Sequence, residues 1–423
     1  MRKKLPKEVN FVFFLISLYS LALDIVFSLS LNSKYEINMV INGTNKKNIL
    51  SDSFSYNAQE IIINGNPGIC ENKICNLNND LNNITIRFNE IIKTCENMFF
   101  HLDNIIEIDL SNFDGSKITN MHAMFYNCVN LKKIIFGNFN TSSVEYMDQL
   151  FMNCIQLKSI NVSIFDTSSV VSFKEMFCHC ENLTSIDISN FNTSRATDMY
   201  DFFAHCFNLQ YIHMLNFDTS KVTIMQGLFY NCYKLKFLNL QNLTASSSPI
   251  FQYMFSFCQS LVYLNLYSLK TTDEIDLTHS LWNFNYKNVK ICINDEFTAH
   301  KLFGNESSSD CSDKCFKENI KFDYEQNKCV ESCSEDTFEY KNICFKECPE
   351  GMLKAFKSKN ICLNYIPENY YFDSKDGLYK ECYITCKKCE KQGDKIHNNC
   401  DLCINDFVFL NDLLAIKNNF WKF

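Results

Sequence analysis

Glycine and proline are scarce in this chain, 10 and 5 among 423 residues. That excludes collagen-like and Gly/Pro-rich low-complexity classes. No run of five or more like charges occurs, and 40 basic residues face 48 acidic ones for a net charge of −8. A nucleic-acid binder would show a basic face, so nucleic acid is not an expected partner. Gly-x-Ser-x-Gly, the P-loop, Gly-x-Gly-x-x-Gly and His-Glu-x-x-His are all missing. The eight histidines are scattered, and no Ser, His or Cys has a nucleophile's context. The expectation is a non-enzymatic protein with no cofactor and no metal.

What is present is apolar and aromatic. Hydrophobic residues make up 46%, with 39 Phe and 20 Tyr, which argues for a sizeable core over disorder. The length exceeds one ordinary domain and implies several units or a repeat array. The chain opens with Arg2, Lys3, Lys4 and Lys7, then an apolar run from Phe11 to Leu23 that stops at Asp24. That is the form of a secretory signal peptide over residues 1–30, cleaved after Ala22 or Ser30. An uncleaved anchor is the alternative, although the run falls short of the ~20 residues that span a bilayer. A second apolar stretch, residues 404–416, is short and carries Asp406 and Asp412. The protein is then secreted, held at the cell surface through an anchor not visible in this chain, or a piece of a longer one.

An internal repeat dominates the middle. Phe99, Phe125, Phe151, Phe177, Phe203, Phe229 and Phe255 recur every 26 residues, and Cys128, Cys154, Cys180, Cys206, Cys232 and Cys258 keep the same phase. Leu102 holds the cysteine slot in the first copy. Apolar ladders run from Ile105 to Leu261 and from Ile108 to Leu264 in the same steps. Within one copy, Thr141, Ser142 and Ser143 suit an N-cap, and Val144, Met147, Leu150, Phe151 and Cys154 follow at helical spacing. Leu157, Ile160 and Val162 alternate as a short strand. One coil cannot bury its own apolar side chains, but stacked coils can. The predicted fold is an α/β repeat: a solenoid with a parallel sheet on one side and short helices on the other.

The unit at residues 124–147, MFYNCVNLKKIIFGNFNTSSVEYM, and its copy at 176–199, MFCHCENLTSIDISNFNTSRATDM, resemble the leucine-rich repeats of BspA-type surface proteins of bacteria and protists. The resemblance covers residues 92–270, seven copies. It implies a leucine-rich-repeat solenoid at the cell surface, with adhesion or recognition as the usual role. The first and last copies depart from the Phe-Asp/Asn-Thr-Ser pattern, as terminal coils do.

Residues 31–91 are expected to form the N-terminal cap and 271–310 the C-terminal cap, with Val289, Ile291 and Ile293 as a further strand. Cys70 and Cys75 lie close enough to pair. From 311 to 403 the ladder stops and twelve cysteines follow: Cys311, Cys315, Cys329, Cys333, Cys344, Cys348, Cys362, Cys382, Cys386, Cys389, Cys400 and Cys403. With too little apolar sequence for a core, this segment needs covalent staples. By spacing it resembles furin-like or growth-factor-receptor cysteine-rich modules, and residues 404–423 form a tail. The Cys386-x2-Cys389 and Cys400-x2-Cys403 pairs, with His397 nearby, also have spacing that zinc accepts. An exported chain favours disulfides. Two readings stand for the ladder cysteines: neighbouring coils ~4.8 Å apart are within disulfide reach, and cysteine also serves as a small buried apolar residue. Leu102 favours the second.

Strand alternation turns the slots beside the isoleucine ladder outward. Toward the C-terminal coils these become aromatic and amide-rich: Tyr211, His213, Phe237, Asn239, Tyr263, Asn265 and Tyr267. They are the candidate ligand-binding residues, for a protein or glycan on another cell or matrix. Alternatively they pack against the cap or the cysteine-rich module. Sequons at Asn42, Asn83, Asn140, Asn161, Asn182, Asn192, Asn242 and Asn305 are compatible with export. A receptor ectodomain and a structural coat protein are the other functions the sequence allows.

Overall fold

The computed structural model describes residues 35–214, 217–244, 250–271, 277, 279–284, 289–303, 320–326, 328–340, 343–348, 352–357, 359–363, 370–381, 386–389, 400–403, 407–410 and 413–416. For the last four segments and for residue 357 only the backbone is described. The expected signal peptide lies outside these residues.

The chain begins with antiparallel strands. Strand β1 (Glu36–Asn42) runs beside β7 (Leu81–Arg87), which also pairs with β3 (Glu60–Ile63), itself paired with β4 (Asn66–Pro67). A smaller sheet holds β2 (Asn45–Asn48), β5 (Cys70–Glu71) and β6 (Ile74–Leu77), with a Cys70–Cys75 disulfide across the hairpin. Strand β1 alternates half-buried and buried residues, so Ile37, Met39 and Ile41 enter the core. Its other edge pairs antiparallel with β8 (Ile105–Asp109), the first strand of the repeat. The antiparallel strands thus continue the solenoid's own sheet, and the first coil's strand has no bare edge, the position where sheets otherwise aggregate.

The repeat strands are short and parallel. β8 pairs with β9 (Lys133–Ile135). β10 (Ser185–Asp187), β11 (Tyr211–His213), β12 (Phe237–Asn239), β13 (Tyr263–Asn265) and β14 (Lys290–Cys292) form a second sheet in that order. Register keeps the central apolar residue in line: Ile186 opposite Ile212, Leu238 opposite Leu264, Leu264 opposite Ile291. The third copy, expected to contribute a strand around Ile160, forms none, although Ile160 is still buried.

The expected helices do not form. Residues such as 147–153 are a tight turn sequence, and among the described residues the one α-helix is α1 (Glu296–Phe303) in the C-terminal cap. Each coil carries two left-handed residues four apart: Asn97 and His101, Ala123 and Asn127, Gln149 and Asn153, Glu175 and His179, Asp201 and His205, Gly227 and Asn231, Tyr253 and Phe257. Such a pair breaks an α-helix, and a non-glycine residue there costs about 1–2 kcal/mol. The offset is a set of hydrogen bonds between coils. The amides of Gln149, Phe151 and Asn153 donate to the carbonyls of Lys174, Met176 and Cys178 at 2.8–2.9 Å. Their N–H groups are therefore unavailable to a carbonyl four residues back. His279 and Asn283 repeat the left-handed pair, and Phe255 and Phe257 donate to Ser280 and Trp282, so the span expected as a cap stacks one more coil on the seventh.

Ladders fill the interior. The seven phenylalanines from Phe99 to Phe255 lie ring over ring, centroids 5.3–6.1 Å apart and within 17° of parallel. Each ladder cysteine is a buried free thiol whose S–H donates to a phenylalanine carbonyl of the preceding coil, as Cys180 does to Phe151 at 3.2 Å. The disulfide reading of this ladder does not hold. Burial raises these thiols, Cys258 to about 12, which leaves them unreactive. Cys95 and Cys178 are likewise buried and free. At the loop, Thr141, Thr167, Thr193 and Thr219 each donate to the carbonyl 25 residues on, while Asn140, Asp166, Asn192 and Asp218 cap the next-but-one amide. The recurring Phe-Asp/Asn-Thr-Ser motif is this hydrogen-bond ladder.

Beyond the solenoid lies a run of hairpins: β15 (Lys321–Asp323) with β16 (Lys328–Val330), β17 (Phe338–Tyr340) with β18 (Ile343–Phe345), β19 (Leu353–Lys357) with β20 (Lys359–Leu363), and β21 (Tyr370–Asp373) with β22 (Leu378–Glu381). Parallel contacts β15–β18, β17–β20 and β19–β22 join them into one sheet. Cys333–Cys344 and Cys348–Cys362 staple it, and Cys329 is also disulfide-bonded. Farther on, β23 (Cys386–Cys389) and β24 (Cys400–Cys403) pair antiparallel with Cys386 opposite Cys403 and Cys389 opposite Cys400, and β25 (Phe407–Leu410) pairs with β26 (Leu413–Ile416). Cys311, Cys315, Cys382 and His397 lie outside the described residues. No described helix is long and apolar enough to cross a membrane.

Candidate functional site

The outward slots of the sheet were the candidate surface, and the structure divides that surface in two. Over the C-terminal coils it is covered. The cysteine-rich hairpins pack on it, with Phe322 between Phe237 and Tyr263 at centroid distances of 5.3 and 5.0 Å. Tyr211 meets Tyr340 and Phe345 edge-on at 6.1 and 6.4 Å. The Lys236 ammonium stands 3.9 Å from the Tyr324 ring centre and donates to the Tyr324 carbonyl at 3.2 Å. The Tyr340 hydroxyl donates to the Asp187 carboxylate at 3.4 Å.

Tyr211 and Tyr263 are consequently only 3% and 2% exposed, and His213 and Asn265 are buried. Tyr211 hydrogen-bonds the Nδ1 of His213 at 2.9 Å, and burial pushes its phenol well above its ordinary range. Phe237 and Asn239 are half-buried, and Tyr267 alone of the seven candidates is freely open, at 48%. In this structure these aromatics are an internal dock for the chain's own module, not an open ligand surface.

The N-terminal part of the sheet is open. Asn38 and Val40 on β1, Asn83 and Thr85 on β7, Glu107 and Asp109 on β8 and Ile135 on β9 line a shallow depression of about 200 Å3. Thr85 donates to Asn38 at 2.6 Å, and Lys133 lies 4.0 Å from Glu107. Arg87 clips Glu36 and Glu60 at 2.8 Å each, across the three strands β1, β7 and β3. The Glu60 bond is solvent-exposed and contributes ~0–1 kcal/mol, whereas the Glu36 bond is half-buried. Glu107, Lys133, Asp109 and Ile135 occupy outward slots beside the isoleucine ladder, whereas the expected binding residues lay at the aromatic end. The β1 and β7 residues were missed, because they come from the region read only as a cap.

The sequons fall on both faces. Asn42, Asn83, Asn140, Asn192 and Asn242 are exposed, Asn161 and Asn182 are half-buried, and Asn305 lies outside the described residues. Asn140 and Asn192 use their side-chain oxygens in the loop turns. Cys292, which the sequence reading left out of the disulfide candidates, is disulfide-bonded.

A second cluster lies on the turn side. The His179 and His205 rings stack at 4.1 Å, and the Asn231 amide approaches the Nδ1 of His205 at 3.1 Å. Burial first, then the neighbouring His179, holds His205 down at about 4. Asp201, also buried, is raised to about 6. Gly227 makes room for its carboxylate, since a Cβ there would stand 1.8 Å from the Asp201 Oδ1. Among the described residues no group of three His, Cys, Asp or Glu could hold a metal ion.

Between about 4 and 6.5 the unfolded chain binds a proton at residue 205 that the folded chain does not, so this site removes stability as the pH falls through that window. Asp201 acts oppositely, because the folded state binds the extra proton between 3.8 and about 6. A His205→Asn variant, which places the residue found at Asn127, Asn153 and Asn231, is expected to flatten the acid decline in melting temperature. An unchanged pH profile in a melting series from pH 7 to 4 would show that His205 is not responsible.

Two family models match this chain. Residues 174–308 match one described as BspA type Leucine rich repeat region (6 copies). Residues 93–214 match one described as Mycoplasma protein of unknown function, DUF285. Both matches end before the hairpin module. No curated protein and no solved structure matches the chain. Residues 174–308, which include the coils on which the module docks, are therefore similar in sequence to BspA-type leucine-rich repeats.

Proposed function

We propose that this is a non-enzymatic binding protein, secreted or displayed at the cell surface, whose open N-terminal sheet face takes a protein or glycan ligand on another cell or matrix. The observation that carries this reading is the division of the sheet. One half is occupied by the chain's own module, and the other is a rigid, preformed surface with mixed apolar and charged groups around Val40, Glu107, Lys133 and Ile135. Such a surface loses little side-chain freedom on binding, which favours affinity. The similarity to BspA-type repeats supports adhesion, and the disulfides of the module suit an oxidising compartment. Fold likeness alone does not assign a function; the open face is what supports ligand binding.

The test uses the full chain expressed through a secretory pathway and coupled to beads, scored for adhesion to cell monolayers and to deposited matrix. An Ile135→Glu, Lys133→Glu double variant changes only exposed positions and is expected to lower adhesion at least tenfold with melting unchanged. Adhesion equal to that of the parent would remove the open face from the function.

A further inference from the structure

The turns of the last coils carry a row of aromatic rings that, among the described residues, belongs to neither of the two apolar clusters. Phe207 stacks on Tyr233 at 5.4 Å, Tyr253 on His279 at 5.3 Å, and Trp282 closes the row at 5.7 Å from Phe257. Tyr233 links the two halves, 6.4 Å from Phe257, and Tyr230 flanks the second at 6.0 Å from Tyr253 and 5.8 Å from Phe257. All of these rings remain half-buried or exposed, with Trp282 at 55% and Tyr233 at 36%. In the corresponding turns of the earlier coils the slots of Phe207 and Tyr233 hold Asp103, Val129, Ile155 and Glu181. The ridge is thus a property of the last coils and not of the repeat.

The chemistry of the ridge selects its partner. Among the described residues Lys234 is its one cation, and that ammonium is held by the Asn208 side chain at 2.6 Å. A lipid-surface site would show several free lysines or arginines beside the rings. An exposed amide, Asn283, adjoins Trp282, while the Asn208 amide next to Phe207 is engaged by Glu181 O, Asn182 and Lys234. Flat apolar faces beside amide donors and acceptors match the two aspects of a sugar ring, its C–H face and its hydroxyl rim. Trp and Tyr present that area at little entropic cost. The stacked rings also advance by one coil at a time, which suits a polymer with its own short repeat. The geometry points to a binding site for an uncharged polysaccharide on the aromatic ridge formed by Phe207, Tyr233, Tyr253, Phe257 and Trp282.

The site is independent of the open sheet face, and the test separates the two. The full chain is mixed with insoluble cellulose, chitin and mannan particles, and in parallel with phosphatidylcholine vesicles, and the co-sedimenting fraction is measured. Retention on at least one polysaccharide is expected. It should fall at least tenfold in the Trp282→Ala, Tyr233→Ala variant, recover in Trp282→Phe, and persist in Ile135→Glu. Both truncated side chains are exposed, and an unchanged thermal melt confirms that the coils remain folded. Absence of retention on all three particles overturns the proposal, as does retention that survives the double variant. Loss of retention in Ile135→Glu would assign sugar binding to the sheet face instead. Vesicle binding abolished by the ridge variant would make the ridge a lipid site.

Discussion

Truncating Phe177 to alanine should cost about 3–5 kcal/mol of folding free energy, as loss of a fully buried phenylalanine does. Its ring lies between those of Phe151 at 5.3 Å and Phe203 at 5.4 Å, and also touches Phe202 at 5.9 Å. The hole would open on both neighbouring coils. Relaxation is restricted, because the Phe177 amide and carbonyl are fixed by Phe202 O, Cys180 N and the Cys206 thiol. In a quasi-one-dimensional array a weak interface in the middle also uncouples the two ends. A urea melt followed by circular dichroism should show a lower midpoint and a broader transition than the parent. A loss below about 1 kcal/mol would mean that the ring ladder is not a main support of the stack.

The second large effect concerns the dock. Phe322 is almost wholly enclosed, in contact with Phe237 and Tyr263, and Phe322→Ala should cost the module's attachment about 3–5 kcal/mol. The hairpins keep their own disulfides, so the expected result is a module that stays folded and lifts from the sheet. Two readouts follow from the buried tyrosine. The Tyr211 phenol, held well above its ordinary range by burial, should return toward 10 in an ultraviolet titration. Amide exchange should rise in β11 to β13 and stay unchanged in β8 and β9. Unaltered exchange in β11 to β13 would show that the cover does not depend on this contact.

Much of the fold was legible because the repeat is so regular. The ladders at Phe125, Cys128, Leu131 and Ile134 define a coil, an inward face and a strand without reference to anything distant. The turn side was not legible. Val144, Met147, Leu150, Phe151 and Cys154 fit helical spacing, yet the same inward pattern suits a stacked turn. The residues that decide between them, Gln149 and Asn153, are not glycines and give no local sign of a left-handed backbone. The covered face was hidden for another reason. Tyr211 reads as an outward aromatic, and its partners Tyr340 and Phe345 lie more than a hundred residues downstream. Cys292 gave no sign of its bond, because it lies ahead of the dense cysteine segment and inside the span that reads as a cap.

One set of hydrogen bonds on the turn side points a single way. The amides of Phe99, Phe125 and Phe151 donate to Met124, Leu150 and Met176, always to the coil that follows in sequence. A nascent chain leaving the ribosome therefore presents a tier of donors whose acceptors have yet to be synthesised. Every new stretch of 26 residues completes the tier beneath it and exposes one of its own. The array has a built-in direction of growth, and the coil that contributes Ser280 and Trp282 completes the tier left by the seventh.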